Sequence, residues 1–153
     1  EVCMRPLPQL ARILGYVGVL PFFFLTIALL IKLPVAGMRL DWLLVAYAAV
    51  IVSFLGAVHW GIVLAMQEKL NERDTQLLLG YSVSPAVVAW LLMLCPVKVA
   101  LVGMAVLVVL AYAADVFLLF RRVGLESEYA KLRLHLTVVV TLLLFAAALG
   151  GVK

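Results

Sequence analysis

Residues 42–66 read WLLVAYAAVIVSFLGAVHWGIVLAM, a run with no Asp, Glu, Lys or Arg. As an α-helix rising 1.5 Å per residue, it would reach about 37 Å. The hydrocarbon core of a bilayer is about 30 Å thick, and roughly 20 apolar residues cross it. This run is therefore read as a membrane-spanning helix. Four neighbours have the same character: residues 10–33, 77–94, 97–120 and 133–150. The predicted fold is an all-α, multi-pass bundle of five spans, forming one integral membrane domain over residues 1–153.

Composition leads to the same class. Of 153 residues, 67% are hydrophobic and 13% charged, and mean hydropathy is +1.23. Soluble domains carry about 45–50% apolar and about 25% charged residues. So little polar surface excludes an ordinary soluble domain, and it also excludes disorder, collagen and coiled coil. The first run is expected to be retained rather than cleaved. Its apolar stretch is too long for a signal peptide, and no small-residue cleavage site follows Phe22-Phe23-Phe24.

Breaks in the pattern divide the runs. Pro34 and Gly37 separate the first two spans, and Pro96 makes a tight hairpin of spans 3 and 4. Residues 67–75 read as a charged turn, and 121–133 as the longest connection, with 129–133 a candidate extension of span 5.

The net charge is +4. The basic residues flank apolar runs, so they are topology signals rather than a nucleic-acid surface. One side holds Arg5, Arg12, Lys69, Arg73, Arg121, Arg122, Lys131 and Arg133. The other holds Lys32, Arg39, Lys98 and Lys153. The positive-inside rule places the N-terminus inside and the C-terminus outside. Cys3 and Cys95 then lie on opposite faces about 30 Å apart, too far for an intramolecular disulfide.

Polar groups inside the spans gather toward the basic side. His59 lies about 10 Å from the end of span 2, and Asp115 about 7–8 Å from the end of span 4. Buried ionisable groups cost about 2.5–3.5 kcal/mol on insertion scales, so they pair or line a cavity. The candidate polar pocket comprises His59, Asp115, Tyr112, Tyr81, Ser84 and Arg12. A purely structural arrangement is the competing reading: Asp115 pairing with Arg12 or reaching Arg121 and Arg122, and His59 as a core histidine. Arg121, Arg122 and Arg133 are candidate ligands of anionic headgroups.

Span 2 also carries Ala49, Ser53, Ala57, Gly61 and Ala65 at four-residue spacing. Small residues at this spacing let helix backbones approach closely. The face is a candidate contact for a protein partner or a second copy. Pro21 and Pro85 interrupt spans 1 and 3 and release backbone carbonyls.

There is no Gly-rich phosphate loop, GxSxG, HExxH or CxxC. No metal, no cofactor and no catalytic residue is expected, and the reading leans away from an enzyme.

Several strings taken together resemble the domain-of-unknown-function family 3429, which includes proteins like transmembrane protein 69. They are Leu14-Gly15-Tyr16-Val17-Gly18-Val19-Leu20-Pro21-Phe22, Val52-Ser53-Phe54-Leu55-Gly56-Ala57-Val58-His59-Trp60-Gly61, and Gly80-Tyr81-Ser82-Val83-Ser84-Pro85 with Trp90. Tyr112 with Asp115, and Tyr129 with Leu132-Arg133 and Leu136-Thr137, complete the set. The resemblance implies a multi-pass protein of a bacterial inner membrane or its mitochondrial descendant, and it supplies no activity. Three functions are then expected, in this order. The first is a non-enzymatic accessory or assembly subunit of a membrane complex. The second is a small dimeric transporter or channel using Asp115 and His59. The third is a quinone- or lipid-binding protein.

Overall fold

A computed structural model describes residues 8–123 and 127–152, without the side chains of 122, 123 and 127. Cys3, Arg5, Lys153 and the Arg122 side chain thus lie outside the described residues.

Every described element is helical. In chain order they are α1 (Gln9–Val17), α2 (Leu20–Leu30), α3 (Leu40–Met66), α4 (Glu72–Leu92), α5 (Val97–Asp115) and α6 (Ser127–Ala146). Helix α5 runs on as a π-helix over Val116–Val123, and α6 does so over Ala147–Gly151. Five helical stretches are long and apolar enough to cross a membrane: Gln9–Leu30, Leu40–Met66, Glu72–Leu92, Val97–Arg121 and Glu128–Gly151.

The first span differs from the expected single rod. It breaks between α1 and α2, where Pro21 enters the first turn of α2. Proline offers no N–H and cannot continue the ladder behind it. The Gly18 carbonyl at this break accepts a 2.9 Å hydrogen bond from the Tyr47 hydroxyl on α3. Phe22, four residues on, packs edge-to-face on the Tyr47 ring with centroids 4.9 Å apart. The break is thereby satisfied by a neighbouring helix, as intramembrane proline requires.

The third span begins earlier than hydropathy suggests. Asn71 caps α4, its side-chain oxygen accepting from the Asp74 backbone N–H at 2.8 Å, which satisfies one of the amides a helix start leaves unpaired. The segment 72–75, expected as part of a charged turn, is therefore the first turn of a helix. Pro85 inside α4 leaves the Tyr81 carbonyl without its usual donor. The Ser84 hydroxyl donates to it at 2.7 Å.

Helix α3 packs against α2, α4 and α5, and α5 packs against α3, α4 and α6. These two are the central helices. The core they form with their neighbours buries Ala48, Val52, Leu101, Met104, Ala105 and Val108. Lipid tails are as apolar as these side chains, so the driving force is close packing rather than water exclusion. At Gly56, α3 and α4 approach closely. A methyl group there would collide with the Ser82 carbonyl and touch the Pro85 ring at 3.4 Å.

The expected small-residue face behaves differently along its length. Ala49 is buried and Ser53 half-buried, but Ala57, Gly61 and Ala65 are exposed. Nothing lies within 4 Å of a side chain added at Gly61.

Candidate functional site

Two hairpins bring the polar groups together. Helices α3 and α4 pack on each other, and so do α5 and α6. His59 and Tyr81 stand at equal distance from position 70 in the first hairpin, and Asp115 and Arg133 from position 124 in the second. Each pair therefore meets at one depth, about 9–14 Å from the helix ends on the basic side.

At that depth Arg133 of α6 donates from Nε and Nη2 to Asp115 Oδ2, at 2.7 and 2.5 Å. The other carboxylate oxygen, Oδ1, lies 3.3 Å from His59 Nε2 on α3. The Tyr81 ring of α4 stands edge-to-face against His59, centroids 4.7 Å apart. Relative exposure is 0% for His59, 2% for Asp115 and 4% for Arg133. Four helices thus converge on one carboxylate. Neither ring nitrogen of His59 makes a hydrogen bond of good geometry. Its tie to Asp115 is proximity, whereas that of Arg133 is a charge-assisted double donation.

Asp115 is the last residue of α5 before the π-helical stretch. Such widened turns are uncommon and frequent at functional sites. Beyond it Leu118 and Leu119 turn inward with Val63 and Leu78 and seal the network on that side.

The sequence-predicted residues distribute unevenly. His59, Asp115 and Tyr81 come together. Tyr112 is half-buried on α5, and its side chain makes no hydrogen bond among the described residues. Ser84 is exposed and serves the Tyr81 carbonyl. Arg12 is exposed and lies in a groove beside Tyr16, Lys131 and His135. Asp115 pairs with Arg133, not with Arg12. Arg133, expected near lipid headgroups, is buried in the bundle, and Arg121 is exposed.

Sequence reasoning missed Arg133 as the counter-ion. Its symmetric placement with Asp115 about the span 4–5 connection was the available signal. Thr137, one turn beyond Arg133, stands among the strings that carry the family resemblance but not in the expected pocket. The Thr137 hydroxyl is buried and has no hydrogen-bond partner among the described residues.

Arg133 and Thr137 also line a cavity of about 140 Å³. Its remaining walls are glycine or apolar: α1 and the α1–α2 break contribute Leu14, Gly15, Gly18 and Val19, α3 contributes Ile51, Phe54 and Leu55, and α6 contributes Leu136 and Val140. Leu14 and Phe54 are exposed at its rim, so the cavity opens sideways, where lipid would lie. The shape suits an apolar molecule with a small polar head. No group of three or more potential metal ligands occurs among the described residues.

A family model described as a protein of unknown function, DUF3429, matches residues 7–149. The chain belongs to the DUF3429 family. The match runs from just before α1 to within two residues of the end of the last span, so it takes in the network and the cavity. Searches of curated proteins and of solved structures return no match.

Proposed function

We propose that this DUF3429 protein binds a membrane-soluble molecule whose carbonyl head reaches Arg133 and Thr137 through the lipid-facing cavity. One observation carries the reading: an apolar cavity whose polar groups are a fixed guanidinium and a buried hydroxyl without a partner. Buried polar groups in folded proteins are nearly always hydrogen-bonded, so an orphan hydroxyl facing a cavity calls for an acceptor. Pockets of this kind, mostly apolar with a few placed polar groups, are what ligand sites look like.

Charge narrows the ligand class. Asp115 neutralises Arg133, so a second anion would gain little from the pair. A neutral acceptor gains the remaining N–H groups of a guanidinium already held in place, at little ordering cost. A quinone or another carbonyl-bearing lipophile fits best. The basic flanks of the spans support an N-terminus-inside orientation, and the family resemblance supports a bacterial inner membrane.

The test is equilibrium binding of a short-chain quinone to the detergent-solubilised protein. Thr137→Val removes the hydroxyl and keeps the volume. Binding should weaken about tenfold, the loss expected from one hydrogen bond of about 1–1.5 kcal/mol. Saturable binding that is equally strong in Thr137→Val would refute the assignment.

A second reading, an accessory subunit, rests on Ala57, Gly61 and Ala65, which stay exposed on α3. A disulfide trapped through Gly61→Cys in native membranes would support it. Failure to trap any partner there would count against it.

A further inference from the structure

We propose that the groove where α1 and α6 begin holds the phosphate group of an anionic molecule. The groove has a volume of about 200 Å³ and is lined by Arg12, Tyr16, Glu128, Lys131, Leu132 and His135. It is separate from the cavity: on α6 the cavity takes Arg133, Leu136, Thr137 and Val140, whereas the groove takes Glu128, Lys131, Leu132 and His135. Between them Gly15 faces Leu132 and Leu136, and a methyl group at Gly15 would stand 3.3 Å from the Leu136 side chain.

Three observations converge on an anion. First, Arg12 and Lys131 bring two positive charges against one carboxylate, Glu128, and neither is in an ion pair among the described residues. Arg39 at the opposite end shows the contrast, since it pairs with Asp41 at 2.8 Å and lies over the Trp42 ring. Second, both helices that form the groove begin here. Helix α1 starts at Gln9 without a side-chain cap, and α6 starts at Ser127. Their unpaired first-turn amides raise the positive potential at this end of the bundle, about 4–6 Å along the helices from Arg12 and Lys131. Third, the donors suit phosphate. Arginine offers a planar fork, lysine a point charge, Tyr16 an O–H donor and His135 a ring N–H donor.

Depth suits a lipid headgroup. Arg12 and Lys131 lie about 4–6 Å inside their helix starts at helical rise, within the interfacial layer where cationic side chains engage anionic lipid. A free phosphate would use the same donors. This set differs from Arg121, Arg122 and Arg133, because Arg133 is committed to Asp115.

Native mass spectrometry of the full chain in neutral detergent tests the proposal, with phosphatidylglycerol, phosphatidylcholine and inorganic phosphate as separate probes. The wild type should retain one phosphatidylglycerol in preference to phosphatidylcholine. Arg12→Gln combined with Lys131→Gln should reduce that preference about tenfold or more. Glu128→Gln should strengthen it, and Arg39→Gln should leave it unchanged. Displacement by inorganic phosphate would show a site for phosphate itself, and resistance to displacement would show a site for the lipid. A preference that survives in the double variant overturns the proposal. So does a Glu128→Gln variant, folded by circular dichroism, that binds no more tightly than wild type.

Discussion

Arg133 and Asp115, eighteen residues apart in sequence, share one carboxylate oxygen across α5 and α6 at 2.7 and 2.5 Å. Both are almost fully buried. Removing one partner leaves an uncompensated charge, which costs about 3–5 kcal/mol. Arg133→Ala and Asp115→Ala should each lower stability by that amount. The double variant Asp115→Leu with Arg133→Leu should recover most of the loss, because an apolar pair leaves no charge behind. Unfolding in mixed micelles, followed by circular dichroism, reads all three.

His59 should matter far less to stability. Its nitrogens make no hydrogen bond of good geometry, so His59→Leu breaks little beyond the ring contact with Tyr81. A loss of about 1 kcal/mol is expected. A loss as large as that of Asp115→Ala would show that the imidazole is an essential member of the network.

Two glycines on one helix should respond oppositely. Gly56→Ala pushes a methyl into the Ser82 carbonyl, and overpacking of this kind costs about 1–3 kcal/mol. Gly61→Ala meets open space and should stay within about 0.5 kcal/mol of wild type. Thermal unfolding of the two variants side by side checks the contrast.

Tyr47→Phe keeps the ring against Phe22 and removes the donor to the Gly18 carbonyl. A loss of about 1 kcal/mol follows. The α1–α2 break borders the cavity, so quinone affinity should fall with it. Binding measured beside unfolding separates this effect from a general loss of fold.

The architecture was legible because hydropathy reports a property of the surroundings. Runs such as 42–66 and 97–120 are apolar over most of their length, and no partner needs to be known to read them. Span ends were less legible. Asn71 as a cap extends α4 into charged residues that hydropathy assigns to a turn, and Pro21 splits a span that hydropathy sees as whole. The polar cluster was half legible. Depth alone brought forward His59, Asp115 and Tyr81. Depth cannot say which face a residue takes, so Tyr112, Ser84 and Arg12 entered the same set. Arg133 lay near a span end, and an arginine there reads as an interface anchor. Only the pairing of α5 with α6 turns it toward Asp115. The cavity has no sequence signature, since it follows from how a broken α1–α2 leans on α3 and α6.

The ligand reading is tested most directly by photolabelling with an alkyl benzophenone, whose ketone is both a hydrogen-bond acceptor and the reactive group. Cross-linked peptides are then mapped by mass spectrometry. Labelling should concentrate on cavity residues such as Val19, Ile51, Leu136 and Val140, and an unlabelled short-chain quinone should suppress it. Labelling spread over outward-facing residues such as Phe24 and Leu142, indifferent to quinone, would contradict a binding site at Arg133 and Thr137.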